Sequence, residues 1–171
     1  MKALPMLLCA VIFSAGAAVA NESVVNKYID NASEVGSAKF EFVFWDVYFA
    51  TLYASGGSFD AGKPYALSLQ YLRDFDGKDI AERSAKEMKQ QGFDDKQKLA
   101  EWENAMQDVF PDVKKGQTIT GVADASGQAL FYLDEQQIGV IADADFTQKF
   151  FDIWLSEKTS EPKLRKKLLK L

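Results

Sequence analysis

Residues Ile138–Leu171 read IGVIADADFTQKFFDIWLSEKTSEPKLRKKLLKL, and the order of elements within them sets the architecture. Ile138–Ile141 is long enough only for a short strand. Phe146, Phe150, Ile153 and Trp154 follow at i, i+4, i+7 and i+8, which is one stripe of an α-helix. After a polar break, Ser160-Glu161-Pro162 reads as a helix start, with Ser160 as N-cap and proline in the first turn. The last helix places Leu164, Leu168 and Leu171 on one face. Its basic residues, Lys163, Arg165, Lys166, Lys167 and Lys170, suit a helix C-terminus. Docking of those leucines on the domain is expected over contact with anionic lipid, since the segment is short.

Working outward, Gly116–Asp124, Ala129–Leu133 and Ile138–Ile141 read as short strands separated by Ala125-Ser126-Gly127 and Asp134–Gln137, the pattern of a meander. Two helices precede them. Lys78–Gln91 carries Ile80, Ser84 and Met88 on one side, with Asp79 and Glu82 spaced for a capping arrangement and Gly92 as the stop. Asp94–Phe110 carries Leu99, Trp102, Met106 and Val109, and Pro111 closes it. Upstream, Lys39–Ala54 is dense in aromatic and β-branched residues and reads as one long bent strand or two joined strands. A turn at Ser55–Ser58 leads to a half-buried strand, Tyr65–Tyr71, opened by Pro64. Strands, a helix pair, strands and a second helix pair argue for α+β: a large antiparallel sheet with a helical layer on one face. The second face must be covered, solvated or used for binding. The aromatic density of the first strand region makes binding the expectation. An amphipathic ligand would lay its tail on Phe42, Phe44 and Phe49, with its head near Tyr48, Tyr71 or Arg73.

At the N-terminus, Lys2, the apolar run Ala3–Ala15 and the small-residue site Ala18-Val19-Ala20 follow the layout of a secretory signal peptide. The expected organisation is a leader at 1–20, a single domain at 21–171 and a periplasmic or secreted location. The apolar core is short for a membrane span, so no stable membrane anchor is expected; a retained anchor is the alternative. Cys9 lies inside that core behind Leu8, not the small residue of a lipoprotein site, and leaves with the leader.

The chain of 171 residues carries a net charge of −5, a single cysteine and no histidine. An acidic protein without a basic block before its C-terminus is a poor nucleic-acid binder. Losing Cys9 removes thiol and disulfide chemistry. Absence of histidine excludes the Ser-His-Asp and Cys-His arrangements and the commonest general base and metal ligand. The balance shifts towards binding, and neither a metal nor a cofactor is expected.

Three local patterns were weighed. Asp74-Phe75-Asp76-Gly77-Lys78-Asp79 has the wrong glycine position for a calcium loop and lacks the closing Glu, so turn and cap duties account for its acids. Ser160-Glu161-Pro162-Lys163 matches S-x-x-K, but the partner S-D-N and K-T-G motifs are absent. Tyr48 and Tyr71 with Arg73 form a tyrosine pair near an arginine, suited to a carboxylate or phenolate: arginine gives a charged bidentate donor and tyrosine a neutral one.

Asp46-Val47-Tyr48 through Leu52-Tyr53, Asp76–Met88, Phe110-Pro111-Asp112-Val113-Lys114-Lys115-Gly116 and Phe150–Leu168 together resemble the chalcone isomerase-like family in its secreted bacterial branch, over about Gly36 to Leu169. The resemblance implies an open-faced β-sandwich. Plant enzymes of the family close a chalcone to a flavanone, holding substrate with Arg and Thr from early strands, Tyr and Asn on a helix, and a late Thr or Ser. Gapless alignment sets Ile80 and Glu87 at the helix positions, Ile153 at the late hydroxyl and Tyr48 at the early Thr. No arginine precedes Arg73 in this chain, so that catalytic set is not recovered. Other branches bind fatty acids or act as non-catalytic auxiliaries. Together with the leader and with the Tyr48, Tyr71 and Arg73 group, the resemblance leads to the expectation of a monomeric, non-catalytic periplasmic protein that binds a small amphipathic or hydrophobic ligand such as a fatty acid through those three residues. An active isomerase or lyase on an unknown substrate, or an envelope protein-interaction module, are the alternatives.

Overall fold

The computed structural model describes residues 22–171; the expected leader at 1–20 and its junction at Asn21 lie outside them. Six strands, β1 (Ala32–Phe42), β2 (Trp45–Ser55), β3 (Tyr65–Tyr71), β4 (Thr118–Ala123), β5 (Ala129–Leu133) and β6 (Gln136–Ile141), form one sheet in sequential order. Every neighbouring pair is antiparallel. A helical turn at 22–25 (α1) precedes the sheet. Helices α2 (Gly77–Gln90) and α3 (Lys96–Val109) lie between β3 and β4, and α4 (Ala144–Leu155) and α5 (Pro162–Leu169) close the chain. This is the expected α+β arrangement, with the helical pairs on one side of the sheet.

That side holds the larger core. Tyr65, Leu67, Leu69 and Tyr71 of β3 point into it with Met88, Met106, Phe131 and the α4 aromatics. The α4 stripe interlocks: Phe150 has ring centroids 5.1 Å from Phe131, 5.5 Å from Phe146 and 5.4 Å from Trp154. Two glycines allow close approach. A Cβ on Gly77 would stand 2.0 Å from the Phe110 carbonyl oxygen, and one on Gly36 would stand 2.3 Å from that of Lys167. Without side chains there, α2 reaches the end of α3 and β1 reaches α5. Leu164 and Leu168 of α5 are buried, the docked arrangement expected of the basic helix.

Of the two readings of Lys39–Ala54, that of two joined strands holds, as a hairpin with Phe42 paired to Trp45 across a turn at Val43-Phe44, while three other local expectations change. Val43 sits at φ 59°, a region costly for a β-branched residue. The α2 N-terminus uses no capping box: Asp76 is its N-cap without a side-chain cap bond, and the Gly77 N–H donates to Asp112 Oδ1 at 2.9 Å. Glu161, not Ser160, occupies the α5 N-cap position. Finally, the second face of the sheet is not simply open. Val24, Val25 and Ile29 pack there against Ala66, Val122, Leu130 and Tyr132, which is why β3 is buried on both sides.

Candidate functional site

A cavity of about 330 Å³ lies between the sheet and the helical layer. Tyr48 and Tyr71 line it from β2 and β3, Ile80 and Ser84 from α2, and Phe150, Ile153 and Trp154 from α4. Phe42, 51% exposed, stands at its rim. The walls are mainly aromatic and aliphatic, with a few polar groups, the composition of a small-molecule site. A larger depression of about 610 Å³ at the other end of β3 is lined by loop residues such as Ala61, Gly62 and Lys63. No buried polar atom without a hydrogen bond lines it among the described residues.

The polar groups of the cavity are held by the fold. Trp154 Nε1 donates to the Tyr48 hydroxyl at 2.9 Å, and the Tyr48 and Tyr71 rings meet edge to face at 6.1 Å. Burial pushes both hydroxyls well above the ordinary tyrosine range; the Trp154 bond partly opposes this at Tyr48, while Tyr48 itself adds to it at Tyr71. Both stay protonated at any working pH. The Tyr71 side chain is 5% exposed, and its hydroxyl has no hydrogen-bond partner among the described residues.

On α2, Ile80, Arg83, Ser84 and Glu87 fall at i, i+3, i+4 and i+7, one face of the helix. Ser84 Oγ donates back to the Ile80 carbonyl at 2.8 Å. Glu87 is 3% exposed. Its Oε2 accepts from Ser160 Oγ at 2.8 Å, and its Oε1 lies 2.5 Å from Arg83 Nη2. That second contact is an ion pair, and it is the partner of a buried oxygen that makes no other polar contact. Glu161 stands alongside, its carboxyl raised above the usual range by burial and then by Glu87, against the pull of Arg83. The site offers hydroxyls, carboxyls and one guanidinium, groups that hold and orient a polar head.

Tyr48 and Tyr71 come together in this cavity, whereas Arg73 does not line it. The Arg73 guanidinium lies over Trp45 at 4.7 Å and near Phe75 at 5.9 Å. Of the aromatics expected to hold a tail, Phe42 lines the cavity; Phe44, 94% exposed at the hairpin tip, and Phe49 do not. The cavity is thus on the helix-covered face, not the opposite one. Ile80, Glu87, Ile153 and Tyr48, the positions that gapless alignment set against the family's substrate-holding residues, all line it. Sequence reasoning missed Arg83 and Ser160 as site residues. One signal was available: Arg83 and Glu87 place two charges beside the Ile80–Ser84 stripe of α2. The acids of the Asp74–Asp79 loop have structural duties, Asp74 accepting from the Lys115 N–H at 2.8 Å and pairing with Lys114 Nζ at 3.1 Å.

Comparison with known proteins agrees with this fold. The family model for chalcone isomerase-like proteins matches residues 36–170. An uncharacterized protein of Haemophilus influenzae is 27% identical over 136 residues, which span 79% of this chain and 66% of that protein, just under two thirds of its length. Among solved structures, a fatty-acid binding protein of Arabidopsis thaliana superposes with a TM-score of 0.62 at 13% identity, covering 82% of this chain and 87% of that one. At that identity the likeness is one of fold.

Proposed function

The chain belongs to the chalcone isomerase-like family, and from that premise we propose that it is a non-catalytic, periplasmic binding protein for a small amphipathic ligand with a single apolar tail, of which a fatty acid is the reference example. The observation that carries this is the aromatic cavity under the helical layer, with its unpartnered Tyr71 hydroxyl and buried Glu87. A site with bound-state polar partners missing is what a ligand completes. The family's branch of fatty-acid binders and the fold of the Arabidopsis protein support it. The periplasmic part rests on Lys2, Ala3–Ala15 and Ala18-Val19-Ala20. Replacement of the family's hydroxyls by Ile80 and Ile153 supports the absence of catalysis, since losing one such donor typically costs a few kcal/mol in the transition state.

Titration of a chain-length series against intrinsic tryptophan fluorescence tests the binding. Each methylene buried contributes roughly 0.8 kcal/mol, so affinity should climb steeply until the cavity is full. No binding at any length overturns the proposal. In the same series, Arg83→Ala should alter affinity and Arg73→Ala should not; the reverse would restore Arg73 as the head-group residue. N-terminal sequencing of fractionated protein checks export: Asn21 is expected first, and an intact Met1 in a membrane fraction would overturn it.

A further inference from the structure

The balance of charge in the cavity bears on what kind of head group it takes. Arg83 is the one cation lining it among the described residues, and Asp79, Glu87 and Glu161 line it too. Arg83 is already committed to Glu87. The acids therefore outnumber the available positive charge, and a carboxylate would arrive as a further anion with no free cation to meet it. Such an anion would lose its hydration without compensation, which is the expensive case. Hydrogen-bonding capacity points the same way. The Glu87 carboxylate, on a residue 3% exposed, accepts from Ser160 Oγ through Oε2 and is paired with Arg83 through Oε1. A carboxylate is acceptor-only, so a donor complements it and a further anion does not. The Tyr71 hydroxyl, without a partner among the described residues, donates or accepts as needed.

We infer that the polar end of this cavity takes a head group that carries no negative charge and donates a hydrogen bond, an alcohol or a protonated carboxylic acid, and that it discriminates against the carboxylate. This rests on the binding function proposed above and specifies its ligand. The groups facing the head are Asp79, Arg83 and Glu87 from α2, Glu161 before α5, Tyr48 from β2 and Tyr71 from β3. Both tyrosines stay neutral. Lowering the pH protonates a bound carboxylic acid and also Glu161, whose carboxyl is raised by burial and by Glu87. Both changes strengthen binding of the acid, so its affinity should rise as pH falls towards the carboxyl range.

The test uses dodecanol and dodecanoate below their aggregation concentrations, titrated into the purified protein at about pH 8, where a free carboxyl is ionised, and at about pH 5, close to the ordinary carboxyl range. Dodecanol is expected to bind at least about tenfold more tightly than dodecanoate at the higher pH, a difference of one hydrogen-bonded charge, with the gap closing at the lower pH. Glu87→Gln should shrink the preference for the alcohol about tenfold. Glu161→Gln, at a partly exposed position, should tighten dodecanoate at the higher pH by more than it changes dodecanol. Equal or tighter binding of dodecanoate at the higher pH overturns the inference while leaving the binding function standing. A series in which neither ligand binds removes the binding function and this inference with it.

Discussion

The two faces of the sheet are both covered, yet in opposite styles. On the α1 side the cover is small and the polar groups mostly close on one another. Ser68 and Thr120 share a hydroxyl bond of 2.9 Å, and Tyr28 and Tyr132 one of 2.5 Å. Thr118 Oγ1 is the exception there among the described residues. On the helical side a dense aromatic core surrounds α4, but beside it a cavity remains, edged by charges and by the tyrosine hydroxyls of β2 and β3. Closed polar pairs contribute to stability and specify a unique packing. Open ones cost stability and persist where something other than the fold uses them. The contrast separates a face that seals the domain from a face that leaves a cavity, the one proposed to bind.

The largest expected effect tests whether the helical side carries the stability. Phe146 is fully buried at the centre of the α4 cluster. Phe146→Ala should cost about 3–5 kcal/mol in denaturant unfolding, the transfer loss plus an unfilled cavity. A cost nearer 1 kcal/mol would mean that the aromatic cluster collapses easily and that the α1 side contributes more than its size suggests.

The next effect is on binding alone. Ser84 is buried in α2, lines the cavity, and spends its hydroxyl on its own helix. Ser84→Leu should fill part of the space and weaken a long-chain ligand at least tenfold, about 1.4 kcal/mol. Thermal stability should hold or rise, because leucine is the better helix former and fills a void. Unchanged affinity would place the ligand elsewhere and dissolve the contrast between the faces.

A smaller effect probes the sealed face. Tyr28→Phe removes one member of the Tyr28–Tyr132 pair, while Tyr132 keeps its contact with Gln137 at 3.3 Å. A loss of about 0.5–1.5 kcal/mol is expected, with no change in ligand affinity. The Tyr132 hydroxyl, pushed up to about 12 by burial and then by Tyr28, should titrate closer to its ordinary value in this variant, which ultraviolet difference spectroscopy follows.

Much of this arrangement was legible in the chain, for identifiable reasons. Periodicity exposed the α4 stripe because Phe146, Phe150, Ile153 and Trp154 obey one helical spacing, and all four are buried. The strands of the meander were visible because small and polar residues punctuate them. The β1–β2 turn was not, because Val43-Phe44 carries none of the Gly, Asn or Asp that such turns favour. The site was half legible. Tyr48 and Tyr71 stand opposite each other in the β2–β3 register, which alternation along two strands suggests. The α2 spacing puts Arg83 and Glu87 beside the Ile80–Ser84 stripe, but helix spacing alone does not say which charged residue turns inward; the packing of α2 against α4 and the Ser160 loop decides it. The cavity lies on the other face from the one the sequence suggests for a related reason: exposed aromatics at the hairpin tip resemble a binding surface, while the cavity forms from residues brought together by tertiary packing.

The smallest expected effect asks whether the polar end of the cavity is under electrostatic tension in the unliganded protein. Folding raises the Glu161 carboxyl above its ordinary range, by burial first and then by Glu87, with Arg83 opposing. A raised carboxyl favours the protonated form in the folded state, so the ionised form subtracts stability at pH values above the folded pKa. Below the unfolded value, around pH 4, both states are protonated and the penalty vanishes. Glu161→Gln should therefore unfold at a slightly higher denaturant concentration than the parent at neutral pH, by a few tenths of a kcal/mol given its solvent exposure. The two curves should converge as the pH falls through the carboxyl range. A variant that is less stable at neutral pH would show that Glu161 is satisfied where it stands, favoured by its place at the start of α5. The two faces would then differ in shape but not in electrostatic strain.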